Sequence, residues 1–239
     1  MTNTLAFKSS IYDDQFTKTK QLRWLPFVGN QYSNGKEKLL IVGESHFLSD
    51  KEGSKESHDN NDFTRHVVNE QGALRKYPKK NPPKLFPNLH KALFGNSKFK
   101  SEVFWDNVSF YNFIQRPMTH KKDRPKKADY VDGWYTFIKT IEILKPTSCL
   151  MLGTSSSNSV KKALDGSGYT IAKSKKHPKI SGTFPREYVL KNSNGDATKL
   201  LFIRHTSQYF SWAKWGVFAQ QHLQSELDNL KSKALLKMK

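Results

Sequence analysis

The chain has 239 residues, enough for one large α/β domain, and carries 40 Lys and Arg against 21 Asp and Glu, a formal net charge of +19. No apolar run approaches the length of a membrane span, and no basic segment followed by an apolar one opens the chain, so we expect neither a membrane span nor a signal peptide. A single cysteine, Cys149, excludes internal disulfides and cysteine-based zinc or iron–sulfur sites, and it fits a cytoplasmic location.

The charge excess points to a polyanionic partner. The phosphate backbone of nucleic acid is the main candidate for so basic a chain. A general solubility charge or an affinity for membrane surfaces would give the same count, and the charge alone leaves both alternatives open. We expect DNA, double- or single-stranded, as the partner of a monomer.

The first half of the chain is organised around the apolar run Leu39 to Val42, which ends at Gly43 and predicts a buried, parallel strand. Residues 1–37 before this strand are assigned to an N-terminal arm, and residues 48–83 after it to a polar insert. Spacing and residue type then predict a helix over 62–77, a helix over 85–94 and a strand over 108–114.

The second half alternates helical apolar stripes with short apolar runs. The pattern predicts a helix over 130–144, a strand over 148–153, a helix through 164, strands over 169–172, 187–190 and 200–203, and a C-terminal helix over 216–236. Strands that alternate with helices predict a single α/β domain over residues 1–239, built around a mostly parallel sheet.

Three predicted strands deliver a polar side chain at or near their carboxyl ends, namely Glu44, Asn112 and His205. The carboxyl ends of parallel strands share one edge of a sheet, where α/β proteins bind ligands, so the three side chains are expected to converge. Each alone has a plain explanation: a helix-capping carboxylate, an amide that satisfies backbone groups, and a histidine at a sheet edge.

The order of these residues matches a set of short motifs. LLIVGESHF at 39–47 is a strand followed by Gly and an acid, and FYNFIQRP at 110–117, with DRP at 123–125, is a strand with a central Asn before Arg-Pro. IEILKP at 141–146 precedes LMLG at 150–153, and His-Thr-Ser begins at His205. In this order the motifs resemble the uracil-DNA glycosylase superfamily, most closely the branch whose first motif is GEAPG, over about residues 38 to 215.

The resemblance implies a three-layer α/β/α sandwich around a central, mostly parallel sheet of four to five strands. Three departures stand out. Ser45-His46-Phe47 replaces Ala-Pro-Gly, Thr206 replaces a proline, and the single cysteine cannot hold the iron–sulfur cluster that this branch often carries. No cofactor and no metal are therefore expected.

The implied activity is hydrolysis of the N-glycosidic bond of a flipped base, which leaves an abasic site. Glu44 would stabilise the developing positive charge on the sugar and activate water, and His205 would donate a hydrogen bond to the departing base. Base contacts are assigned to Asn112, Phe47, His46 and Gly43. DNA contacts are assigned to Ser155, Ser156, Ser207, Arg116, Gln208, Tyr209 and Phe210, with the aromatic ones as wedges into the duplex.

The base itself stays open at this stage. Uracil is the default of the superfamily, whereas His46 and the 48–83 insert also suit a bulkier modified pyrimidine, such as the hypermodified cytosines of phage DNA. The activity would accordingly serve base-excision repair or defence against phage.

Three other interpretations compete. Ser45 lies in a partial nucleophile-elbow pattern, although Phe47 stands where the second glycine belongs. A metal set of His46, His58 and His66 with Asp50 or Asp62 has no standard ligand spacing. A non-catalytic basic DNA-binding protein on the same fold is the strongest rival, because charge explains binding without chemistry.

Overall fold

One mixed sheet of seven strands organises the computed structural model, which describes residues 7–48, 54–80, 82–120 and 122–236. The strands are β1 (Phe27–Val28), β2 (Leu39–Gly43), β3 (Ser109–Asn112), β4 (Ser148–Leu152), β5 (Tyr169–Lys176), β6 (Arg186–Asn192) and β7 (Ala197–Ile203). Their order across the sheet is β1-β3-β2-β4-β7-β6-β5.

The central strands β3, β2, β4 and β7 run parallel, while β1, β6 and β5 are antiparallel to their neighbours. All five residues of β2 and of β4 are buried, which explains their uninterrupted apolar runs. The sheet therefore has more strands than the four or five predicted. Three of the strands are antiparallel: β1, which lies in the N-terminal arm and was not predicted, and the β5–β6 hairpin, which extends the opposite side.

Helices cover both faces of this sheet. They are α1 (Asp13–Phe16), α2 (Ser54–Asp59), α3 (Phe63–Val67), α4 (Leu85–Phe94), α5 (Ser101–Asp106), α6 (Lys127–Leu144), α7 (Val160–Ala163), α8 (Trp212–His222) and α9 (Gln224–Ala234). Ile41 packs into a core with α4, α5, α8 and α9, whereas its neighbour Leu40 packs into a second core with α6 and α7. No described helix is both long enough and apolar enough to span a bilayer.

Three predicted helices differ from the observed ones. The helix expected through 164 is a 3₁₀ helix, Ser155–Ser159, followed by the short α7. The helix expected over 62–77 is α3 followed by a π-helical turn, Val68–Ala73. The C-terminal helix expected over 216–236 is two helices, α8 and α9, because the backbone leaves helical geometry at the buried residue Leu223, with φ −118° and ψ 29°. The break lets α8 pack on α4 while α9 packs on α5.

The 48–83 insert packs against the rest of the molecule through α3 and the π-helical turn. Its residues 49–53 and 81 are not among the described residues. The fully buried guanidinium of Arg65 bonds the carboxylates of Asp13 and Asp62 and the carbonyl of Pro26. A buried guanidinium is tolerated when its donors are paired in this way. The insert is thus joined to the N-terminal arm through Arg65, whereas most of its described residues after 74 are exposed.

Candidate functional site

Four polar or glycine positions follow one another along the carboxyl ends of the parallel strands: Asn112, Glu44, Gly153 and His205, called here the carboxyl edge. Their strands are adjacent in the order β3-β2-β4-β7. Because neighbouring strands lie about 4.8 Å apart, Glu44 and His205, with one strand between theirs, are separated by roughly 10 Å. The sequence prediction that these three side chains share one edge agrees with the strand order.

Glu44 follows the last residue of β2, and its backbone carbonyl accepts a hydrogen bond from Ile114 N–H at 2.8 Å. Within the described part of the chain, its partly buried carboxylate has no hydrogen bond or ion pair. Burial raises the pKa of Glu44, and the charge of Arg124 opposes that rise only in part. Such a carboxyl group is poised to exchange protons, which is the property of a general base.

A cavity of about 20 Å³ lies against Glu44. This volume holds about one water molecule, since a bound water needs roughly 10–15 Å³. The lining residues are Val42, Gly43, Glu44, Phe113, Ile114, Tyr130, Met151, Leu152, Gly153, Ser155 and Ser156. Gly153 has φ +134°, a backbone conformation that favours glycine. The cavity is too small for a nucleobase, and neither Asn112 nor His205 lines it.

Asn112 is buried and lies beside Gly43, its register partner on β2. A Cβ atom added to Gly43 would come within 2.2 Å of Asn112 Oδ1, so the glycine is required for the amide to occupy this position. The backbone carbonyl of Asn112 accepts a hydrogen bond from Gln115 Nε2 at 2.5 Å. The side-chain amide of Asn112 is therefore held in position by packing.

His205 follows the last residue of β7 by one position, and its Nδ1 lies 2.8 Å from Ser207 Oγ and 3.3 Å from Ser207 N. The Ser207 N–H donates to Nδ1, so the neutral ring carries its proton on Nε2. Burial, together with the nearby charge of Arg124, lowers the pKa of His205 to about 4. Asn88 on α4 holds this loop by donating to the carbonyls of Thr206 and Ser207 at 2.8 and 2.9 Å.

His46 and Phe47, both predicted base contacts, lie in different surroundings. The His46 ring packs edge-on against Trp24 and Phe63, with centroids 4.9 and 4.6 Å away, and its Nε2 bonds Thr64 Oγ1 at 2.9 Å. Burial lowers the pKa of His46 to about 3. This histidine belongs to an aromatic cluster with the insert and does not line the cavity. Phe47 is 44% exposed, beside Met118.

The predicted DNA contacts divide into exposed and buried groups. Ser155 and Ser156 follow β4 in a short 3₁₀ helix and line the cavity, while Gln208 and Tyr209 are exposed, the latter at 84%. Ser207 contacts His205, as described above. Phe210 is buried and stacks on Trp215, a position that fits core packing rather than insertion into a duplex.

Arg116 is engaged within the protein. Its guanidinium makes a bidentate ion pair with Asp129 on α6 at 2.6 and 2.7 Å and a longer contact of 3.4 Å with Asp123. These pairs neutralise much of its charge, so its main role is to hold the 116–126 loop against α6.

Two further residues, for which no role in the site was predicted, act on the groups of the carboxyl edge. Arg124 lowers the pKa of both Glu44 and His205, so its charge acts on both groups. Tyr130 lines the cavity, bonds Ser155, and has its pKa raised by burial and by the Glu44 charge. The DRP motif was the available signal for Arg124, whereas Tyr130 looked like one more apolar-stripe residue of a helix.

An open groove of about 880 Å³ adjoins the cavity, since Tyr130 and Ser155 line both. It runs between α6 and the 155–167 segment and carries three lysines, Lys127, Lys139 and Lys162. Of its aromatic residues, Tyr135 is 48% exposed. Basic and aromatic side chains along one groove suit a phosphate backbone with stacked bases.

The competing sites receive little structural support. His46, beside Ser45, bonds Thr64, so it is not oriented as a base for that serine. In the predicted metal set of His46, His58 and His66, the carboxylate of Asp62 is paired with Arg65, and Asp50 lies outside the described residues.

Comparison of the chain with protein-family models and with curated proteins finds no match in either set.

Proposed function

We propose that this chain is a DNA glycosylase that flips uracil or a modified pyrimidine out of DNA and hydrolyses its N-glycosidic bond. The observation that carries the proposal is the cavity of water size against Glu44, at the same sheet edge as a buried amide and a neutral imidazole. The proposal includes the three-layer sandwich architecture of the uracil-DNA glycosylase superfamily. It also includes a monomeric protein in the cytoplasm.

In the reaction, the bond between the sugar C1′ and the base breaks, and the base departs with the electron pair. The sugar develops oxocarbenium-like positive charge, which the ionised Glu44 carboxylate stabilises. Water in the cavity adds to C1′ and gives its proton to Glu44. The raised pKa of Glu44 makes it a stronger acceptor for that proton than an ordinary surface glutamate.

The departing base carries negative charge on its ring oxygen. The Nε2–H group of neutral His205 donates to that oxygen, and the ring is held by Ser207 so that no reorganisation is needed. Asn112 offers a donor and an acceptor to the base edge. The base itself lies at the carboxyl edge beside Gly153, between these two side chains.

The surroundings supply DNA contacts. Exposed Phe47 stacks on the flipped base, and exposed Tyr209 enters the gap left in the duplex. The net charge of +19 and the lysines of the adjoining groove hold the phosphate backbone. The proposal covers a bulky modified cytosine as well as uracil, in defence against phage or in base-excision repair.

The second candidate is a DNA-binding protein without catalysis. Its specific support is the size of the cavity, which admits water and no base, together with the basic charge. A pure binder predicts DNA affinity that is independent of any base modification and has no abasic product.

The test uses purified protein and duplex or single-stranded oligonucleotides with one uracil, hypoxanthine, hydroxymethylcytosine or glucosyl-hydroxymethylcytosine. Alkali then converts abasic sites to strand breaks. The proposal predicts breaks at one modified position with wild type, and none with Glu44→Gln, which still binds the DNA. Glu37→Gln, which changes an exposed glutamate before β2, is the matched control and keeps activity. Binding without breaks on every oligonucleotide would establish the second candidate instead.

A further inference from the structure

A cluster of two imidazoles and one carboxylate lies away from the carboxyl edge. His177 directly follows β5, Glu187 is on β6, and His222 is the last residue of α8. One ligand atom from each residue lies within 4.8 Å of the others. His222 Nδ1 is 2.9 Å from Glu187 Oε2, and His177 Nε2 is 3.6 Å from the same oxygen. We call these three residues the His177 cluster.

Burial makes this cluster different from a chance surface grouping. The side chains of His177 and Glu187 are 7% and 6% exposed. His177 Nε2 is fully buried and has no hydrogen-bond partner among the described residues. A buried polar atom without a partner is costly and needs an explanation. The atom faces the Glu187 carboxylate, so a cation between the two would satisfy it.

The distances from the Glu187 oxygen to the two imidazole nitrogens suit a transition metal. With bonds of 2.0–2.2 Å to nitrogen and oxygen in tetrahedral geometry, ligand atoms of one zinc ion lie about 3.3 Å apart. The observed 2.9 and 3.6 Å fall on either side of this value. Two imidazoles and a carboxylate suit zinc, whereas magnesium and calcium prefer sets made of oxygen alone.

Neighbouring charges bear on the site. Lys173 Nζ lies 3.0 Å from Glu187 Oε1, Lys175 is close enough to act on His177, and Lys199 donates to the carbonyl of His222 at 2.6 Å. Lys173 is 59% exposed, so its ammonium can move into water when a metal takes the carboxylate. Phe218 packs on both imidazoles, with centroids 5.0 and 4.4 Å away, and fixes their ring planes.

We propose that the His177 cluster binds one zinc-type divalent transition metal through His177 Nε2, Glu187 Oε2 and His222 Nδ1, with water in the fourth position. The ion joins the β5–β6 hairpin to the end of α8. The role of the ion is structural, because the cluster lies on the face of the antiparallel strands that α8 covers. Binding of the ion does not depend on the proposed glycosylase activity.

The test strips the full-length protein with a chelator and adds Zn²⁺ or, separately, Mg²⁺. We expect one tightly bound zinc per chain and a rise in Tm of about 5 °C at a hundredfold excess over Kd. Magnesium is expected to leave Tm unchanged. Cobalt in place of zinc should give the intense visible absorption of a tetrahedral site.

Variants locate the ion. Glu187→Gln and His177→Ala should each lower zinc affinity at least tenfold, while His120→Ala, at an exposed histidine, should retain one zinc. His58→Gln should retain it as well. Less than one equivalent of zinc on the wild type, or no change in its Tm, overturns the proposal, and this result does not require any variant to fold. Equal zinc affinity in the wild type, Glu187→Gln and His177→Ala also overturns it.

Discussion

Glu44 and Glu187 are carboxylates beside the same sheet, in two regions that shift their pKa values in opposite directions. Burial raises the pKa of Glu44, and no described residue bonds its carboxylate. Burial also acts on Glu187, but the bonds and charges of Lys173 and His222 outweigh it and lower its pKa. A carboxylate left unpaired at a strand end costs stability and remains available to a substrate, whereas a networked one stabilises the fold.

The sharpest test of this difference replaces each acid by its amide. Glu44→Gln should lower single-turnover excision by about a thousandfold or more, because the charge that faces the sugar is lost. Glu187→Gln should change the rate less than threefold. The measurement is abasic-site formation on the substrate identified by the oligonucleotide panel. Similar losses in both variants would remove the functional distinction between the two acids.

The rigidity of the Glu44 region can be tested at the adjoining glycine. Gly43→Ala should displace Asn112, whose Oδ1 would be 2.2 Å from the new Cβ, and the overpacking should cost about 1–3 kcal/mol in urea unfolding. Excision should fall with it. Gly35→Ala is the control, because its nearest contact is 3.3 Å and its φ is −76°. Equal stability of Gly43→Ala and wild type would show that the amide is loosely held.

The opposite pKa shifts predict opposite effects on stability. A carboxyl group with a raised folded-state pKa opposes folding once pH exceeds its unfolded value of 4.5, so Glu44→Gln should be more stable than wild type at pH 8. Glu187 has a lowered pKa and stabilises the fold above that pH. Glu187→Gln should therefore be less stable than wild type at pH 8, by an amount that shrinks as pH falls below about 4.5.

Urea unfolding across pH measures both signs. Glu142→Gln, at an exposed glutamate paired with Lys139, is the reference and should stay within about 0.5 kcal/mol of wild type. Shifts of the same sign for Glu44 and Glu187 would contradict the contrast between their environments.

The smallest expected effect concerns Arg124, which acts only on the Glu44 side of the comparison. Removing its charge in Arg124→Gln should raise the pKa of Glu44 and of His205, because the arginine lowers both. The acid limb of the excision profile should move to higher pH, by less than about one unit. Lys122→Gln loses the same charge from the same loop and should leave the limb in place.

The sequence predicted the parallel strands better than the antiparallel ones. Strands β2, β4 and β7 are buried on both faces and therefore appear as unbroken apolar runs. Most of β5 is exposed and lysine-rich, and beyond the predicted residues 169–172 it is a strand because it pairs with β6, which its own composition does not encode. The break at Leu223 likewise arises from packing.

The same distinction applies to the sites. The positions of Glu44, Asn112 and His205 were predictable because each lies at or just beyond the end of a recognisable strand. The His177 cluster was not, because its members come from a loop, an edge-region strand and a helix end that only the β5–β6 register and the return of α8 bring together. Arg124 and Tyr130 required the three-dimensional positions of the 116–126 loop and of the first turn of α6.

The grip of Asn88 on two successive carbonyls of the His205 loop has a consequence for encounter with DNA. A loop anchored from α4 is ordered before any ligand arrives, so little conformational entropy is lost when the imidazole meets its target. A substitution on α4, which lies in a different core layer from the cavity, would then slow the alignment of the imidazole and leave the affinity for DNA unchanged.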